Sequence, residues 1–165
     1  MRPAVASSQY LLVSSVPGKE DIMTTTRTAI VAGIYDAFGR GDVPAILDVL
    51  ADDVSWDADW ADNFAQRTPI EHYTRRVGHA DVAEFFKPIG TYTVHEFAVL
   101  DLMESDSRVS AVVVIDASMP DGGRYRDEEI HVWTFGADDK VTALRHHIDT
   151  AKHLAAARGE DTTRR

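Results

Sequence analysis

The groups in this chain best suited to proton transfer are imidazoles that stand near carboxylates. His131 lies in the strand-like run from Tyr125 to Phe135, where alternation places Asp127, Glu129 and Trp133 on its side. An imidazole titrates near neutral pH, and a neighbouring carboxylate fixes its tautomer and raises its pKa. His131 is therefore expected to carry a proton, helped by Asp127 or Glu129. His146 and His147 are adjacent, so a strand turns only one of them inward, and the shared phase of Leu144, His146 and Ile148 selects His146. On neighbouring strands, His131 and His146 would bracket a substrate. Trp56, Trp60 and Trp133 can supply an aromatic wall for a planar or cyclic ligand, although large aromatics more commonly fill a core.

Other candidates rank lower. Asp57 and Asp59 have the chemistry of bases, but the alternation of Trp56 and Trp60 points them outward unless a bulge re-aims one. His72, Tyr73 and His79 border a long polar segment and are read as exposed loop residues that could close over a ligand. Asp149 is read as a helix cap. A zinc or iron site from Glu129, His131 and His146 has the right ligand types, but no diagnostic spacing supports a metal.

These groups need a scaffold. A chain of 165 residues with 44% hydrophobic residues can bury one substantial core. It has no cysteine, which excludes disulfides and thiolate chemistry and agrees with a cytoplasmic location. With 27 acidic against 17 basic residues the net charge is −10, and the basic residues form no stripe, so nucleic acid is not an expected partner. No apolar run is long enough to cross a bilayer, so no membrane partner is expected. Residues 1–22 are read as a flexible extension and not as a signal peptide, because Ser7, Ser8 and Gln9 interrupt the apolar part. The expected domain spans 23–158, followed by a flexible tail at 159–165.

Within it, Val31, Ile34, Tyr35 and Phe38 recur at helical spacing, and Gly39 and Gly41 end that helix. Asp42 caps a second, shorter helix with Pro44 in its first turn. VSWDADW then alternates as a strand, and Val82, Phe85, Phe86 and Ile89 mark a third helix stopped near Pro88 and Gly90. Four strand-like runs follow, at 92–102, 109–118, 125–135 and 141–148, separated by short polar or glycine-containing breaks that make antiparallel hairpins. Asp149 and Thr150 open a last helix whose apolar face is Ala151, Leu154 and Ala155. Helices followed by a run of strands predict an α+β fold.

This order, carried by AFGRGDVPAILDVLADDVSW, VGHADVAEFF and VTALRHHIDTAKHLAA, resembles the SnoaL-like and ketosteroid-isomerase-like branch of the NTF2-like superfamily. The resemblance implies a cone in which a curved antiparallel sheet carries helices on its concave face. It also implies that the His131 side of its strand faces a cavity, and that the protein is a homodimer. Ketosteroid isomerases use an aspartate base with a tyrosine and a protonated aspartic acid. Those positions fall here on Ala58, Ile34 and His131, with Tyr35 beside Ile34, so activity by that mechanism is not expected.

The expected function is a cofactor-independent isomerase, cyclase or dehydratase acting on a small hydrophobic carbonyl compound, polycyclic ones included. His131, His146, Asp127 and Glu129 would be catalytic, and Tyr35, Trp56, Trp60, Phe86, Trp133 and Ile148 would bind substrate. A binding or dimeric interaction module of the same fold is the alternative.

Overall fold

The computed structural model describes residues 26–60 and 62–163. The expected extension at 1–22 lies outside the described residues. Helix α1 (Arg27–Arg40) starts where the Thr26 hydroxyl accepts the Ala29 amide, and it ends at Gly41, whose φ of 68° is the left-handed conformation that glycine adopts without strain. Gly39 sits inside the helix. Asp42 accepts the Ala45 amide at 3.2 Å and caps α2 (Val43–Leu47). Strand β1 (Leu50–Trp56) follows, then 3-10 turns at Phe64–Arg67 and Glu71–Tyr73, strand β2 (Arg76–Val77) and helix α3 (Gly78–Ile89). Strands β3 (Thr93–Glu104), β4 (Arg108–Ser118), β5 (Arg124–Phe135) and β6 (Val141–His147) form the meander, closed by α4 (Thr150–Ala157).

The six strands make one sheet in the order β2-β1-β6-β5-β4-β3. The sheet is mixed, which corrects the wholly antiparallel expectation: β1 runs parallel to β6, with Ser55 opposite Ala143 and Trp56 opposite Leu144. A tight turn forces antiparallel pairing only on strands it joins, and β1 and β6 are joined by none. Core side chains from α1, α2 and α3 (Val31, Ile34, Ile46, Val82) pack on Val109, Val113, Trp133 and Leu144 from the sheet. Burying a side chain of this size is worth about 1.5–3 kcal/mol, so this single layer of helices on one sheet face supplies most of the driving force.

Two further expectations change. The segment between β1 and α3 is not an exposed loop: Ala65, Ile70 and Tyr73 are buried and pack near Ile148, Leu154 and Ala157. The buried face of α4 is centred on His153 and Ala156, while Ala151 is exposed. At its end, the Ala156 backbone lies so close to Gly123 that no side chain would fit there. Residues Glu160 and Thr162, within the tail expected to be flexible, hydrogen-bond to the Arg124 backbone.

Candidate active site

Strand alternation on β5 turns Asp127, Glu129, His131 and Trp133 to the buried face, and the register pairs His131 with His146 on β6. The two imidazole rings stand 4.6 Å apart, edge to face. His147, one residue on, is exposed.

Each imidazole has its own carboxylate. Asp57 directly follows β1, and its backbone adopts a left-handed φ of 53°, a conformation in which aspartate is enriched. Strand alternation is thereby broken, and Trp56, Asp57 and Ala58 are all buried in succession. The Asp57 amide donates to the Leu144 carbonyl at 2.8 Å, while its carboxylate accepts the His146 backbone amide at 2.8 Å and His146 Nδ1–H at 2.7 Å. His146 Nε2 takes no hydrogen bond among the described residues. Phe85 stacks on the ring.

The tautomer of His131 follows from its partners. An indole N–H can only donate, so the Tyr35 oxygen accepts from Trp133 Nε1 at 3.0 Å and sends its own proton to His131 Nδ1 at 2.9 Å. His131 Nε2–H then donates to Glu129 at 3.1 Å. Both His131 nitrogens are thus engaged.

Behind this pair, His153 Nε2 lies 3.2 Å from the other Glu129 oxygen and 3.3 Å from Asp127. Lys152 Nζ contacts Asp127 at 2.9 Å, and the Asp149 amide donates to the same carboxylate. Ligand-type atoms of Asp127, Glu129 and His153 all lie within 4.8 Å of one another. The His153 proton and Lys152 already balance the two carboxylate charges.

The environments push these groups apart. Burial lowers the His131 pKa and outweighs the Glu129 hydrogen bond that raises it. Burial also opposes a charge on His146, but the Asp57 charge and hydrogen bond win, and the pKa rises. His153 rises in the same way through hydrogen bonds to Asp127 and Glu129 that outweigh its burial. Burial would raise the pKa of Glu129 and Asp127, yet donation from His131 and His153 to the first, and from His153 and Lys152 to the second, holds both below the usual carboxylate range. Burial, aided by the His153 charge, pushes His72 down to about 3, and burial pushes the Tyr35 hydroxyl up. The two facing imidazoles thus differ: His131 is held toward its neutral form, and His146 binds its proton more tightly.

They face a cavity of about 70 Å³ walled mainly by aromatic rings. Glu129, His131, His146, Tyr35, Trp56, Phe86 and Trp133 line it. Three predicted residues do not. Asp127 lies beneath α4 in its ion pair with Lys152. Trp60 is half-buried outside the cavity, packed on His147 with the Arg145 guanidinium over its ring, because the left-handed turn at Asp57 resets the phase after Trp56. Ile148 packs with the 65–73 segment just past the end of β6. Sequence reasoning placed Asp57 outside, read His72 and Tyr73 as exposed, and gave His153 no role. A left-handed aspartate directly after a strand leaves no mark in a periodicity pattern.

A family model for the SnoaL-like domain matches residues 31–144, most of the chain. The chain belongs to the SnoaL-like domain family. No curated protein matches it in sequence. Among solved structures, an NTF2-like protein of unknown function from Burkholderia pseudomallei is 24% identical with a TM-score of 0.67, covering 80% of this chain and 98% of its own. TerC, co-crystallised with polyporic acid, is 20% identical with a TM-score of 0.66 over 80% of this chain and 98% of its own. A proposed polyketide cyclase from Pseudomonas putida is 20% identical with a TM-score of 0.63 over the same shares. These likenesses establish the NTF2-like fold of this SnoaL-like domain. No helix among the described residues is long and apolar enough to cross a membrane.

Proposed function

We propose that this SnoaL-like protein is a cofactor-independent acid–base enzyme of the isomerase, cyclase or dehydratase type, acting on a hydrophobic, ring-bearing carbonyl compound. One observation carries the proposal: His146, oriented by Asp57, lines a mostly apolar cavity with Nε2 free, opposite a Tyr35–His131–Glu129 chain. His146 Nε2 takes a proton from the carbon beside the carbonyl. The C–H electrons move to the carbonyl oxygen, toward which the Tyr35 hydroxyl turns its one proton, giving up its hydrogen bond to His131 Nδ1. The His146 imidazolium then returns the proton to a different carbon, giving an isomer, or to a departing hydroxyl, giving water and an alkene. His131 keeps Tyr35 oriented. This role differs from the proton-carrying one expected of it, because neither of its nitrogens is free.

The fold supports the substrate class in a general way, since TerC and the proposed polyketide cyclase are each named with a small molecule or its cyclisation. The test uses a panel of cyclic ketones in D₂O, with NMR detection of deuterium entering the position beside the carbonyl. Exchange above the buffer rate, lost in His146→Gln, is expected. Compounds that bind without exchanging would make the protein a binding module instead.

We also propose a homodimer, supported by the exposed Val94, Val99, Leu100 and Met103 along the free edge strand β3. Sedimentation at micromolar concentration tests it, and a monomer would refute it.

A further inference from the structure

The inner cavity is too small for the ligand its chemistry suits. An apolar cavity of about 150 Å³ holds one benzene ring, whereas this one offers about 70 Å³. Directly outside lies a groove of about 430 Å³. The linings of the two meet where His72, on the cavity, touches Tyr92, on the groove. Within the segment leading into the second 3-10 turn, Ile70 and Glu71 line the groove, while the next two residues, His72 and Tyr73, line the cavity. Tyr92 lines the groove from the other side, and its hydroxyl meets His72 Nδ1 at 3.0 Å. Near the end of α3 the division repeats, with Lys87 and Pro88 outside and Phe86 and Ile89 inside.

His72 also carries an unmet demand. It is 2% exposed, and its Nε2 is buried with no hydrogen-bond partner. Leaving a buried polar atom unpaired is destabilising, so it marks a place where a partner is expected. The turn bearing His72 is held from behind, because the Arg76 guanidinium donates to the carbonyls of Glu71, His72 and Thr74. The backbone is therefore fixed, and what remains free to move is the contact between the His72 and Tyr92 side chains.

We propose that the groove is the outer subsite of the same binding site, that the His72–Tyr92 hydrogen bond is the partition closing it from the inner cavity, and that the ligand is elongated. As the His72–Tyr92 contact parts and the two spaces join, its apolar ring enters among Trp56, Trp133 and Phe85, its middle passes His72 and satisfies Nε2, and its non-anionic, hydrogen-bonding end stays in the groove. Joined, the two spaces reach the range of roughly 300–1,000 Å³ in which drug-sized ligands are bound. The groove disfavours an anionic end because Glu71 and Asp121 would repel it and its lysine, Lys87, is already paired with Glu84 at 2.6 Å. This subsite rests on the proposed function only in taking the inner cavity as the place where a ring binds.

The experiment is stopped-flow mixing of the full-length protein with 2-naphthol, followed by quenching of tryptophan fluorescence, which reports entry beside Trp56 and Trp133. Tyr92→Phe keeps the ring and removes the hydrogen bond, and it should speed association about fivefold, the scale of one neutral hydrogen bond. Thr91→Phe adds bulk at an exposed position in the groove without adding a tryptophan, and it should slow association by a similar factor with the urea midpoint unchanged. Association rates equal to wild type in both variants would overturn the partition while leaving the ring site intact. No quenching in wild type or in Tyr92→Phe would overturn the ring site, and the outer subsite with it.

Discussion

His146 and His153 are both buried imidazoles beside carboxylates, both with raised pKa values, yet they sit in different situations. His146 has one carboxylate, Asp57, on Nδ1 and leaves Nε2 facing the cavity. His153 places its single Nε2 between two carboxylates, Asp127 and Glu129, with Lys152 completing the charge balance and Tyr73 3.5 Å from Nδ1. The number of partners separates them. A histidine with a free nitrogen in a cavity can exchange a proton with a ligand, whereas one whose proton is shared by two buried carboxylates holds elements together, here α4 against β5. Perturbed pKa values alone would not tell the two apart.

The largest effect that tests this contrast is on catalysis. Replacing His146 with Gln should reduce deuterium exchange about 10²–10⁴-fold, the usual contribution of a positioned general base. His153→Ala should instead act on stability, losing about 3–5 kcal/mol in urea titration because Lys152 alone cannot balance two buried carboxylates and one charge is left uncompensated. Exchange per folded molecule should fall far less than in His146→Gln. If His153→Ala stays folded and loses exchange as completely, the division of roles is wrong.

A smaller effect appears in the pH dependence of stability. Both imidazoles bind their proton more tightly in the folded chain than at the unfolded value near 6.5. Their contribution is therefore complete below that pH and is lost as pH rises through the folded values. Stability should decline above pH 6.5, by at most about 1.4 kcal/mol per pH unit for each group. His153→Gln should flatten part of that slope when urea midpoints are compared across the range. On the acid side the sign reverses, because the folded-state pKa values of Glu129 and Asp127 are depressed, so their contribution is lost as pH falls through those values.

The finest test is kinetic. If His146 must be unprotonated to act as base, exchange should fall on the acid side through its raised pKa. Asp57→Asn removes the charge that raises it, and the acid limb of kcat/KM should then move to lower pH. A limb that stays in place would mean that some other group controls it.

Much of the scaffold could be read from local pattern. Gly41, Asp42 and Asp149 cap or end helices through contacts made within a few residues. The phases of β5 and β6 place Glu129, His131, Trp133 and His146 inward because successive side chains on a strand face opposite ways. These are properties of neighbours in the chain, and they hold wherever the strand ends up. The same rule failed at Asp57 and Trp60, where one left-handed residue ends the alternation.

By itself, then, the sequence determined the helix caps, the strand phases and a pair of imidazoles on neighbouring strands. Only the tertiary structure decided which of them is free to react. Asp57 reaches His146 across 89 positions, Tyr35 reaches His131 across 96, and Glu129 meets a helix residue, His153, that no periodicity singles out. Whether a buried imidazole is saturated or has a nitrogen to spare depends on groups brought together by the packing of the whole chain, and local spacing carries no information about them.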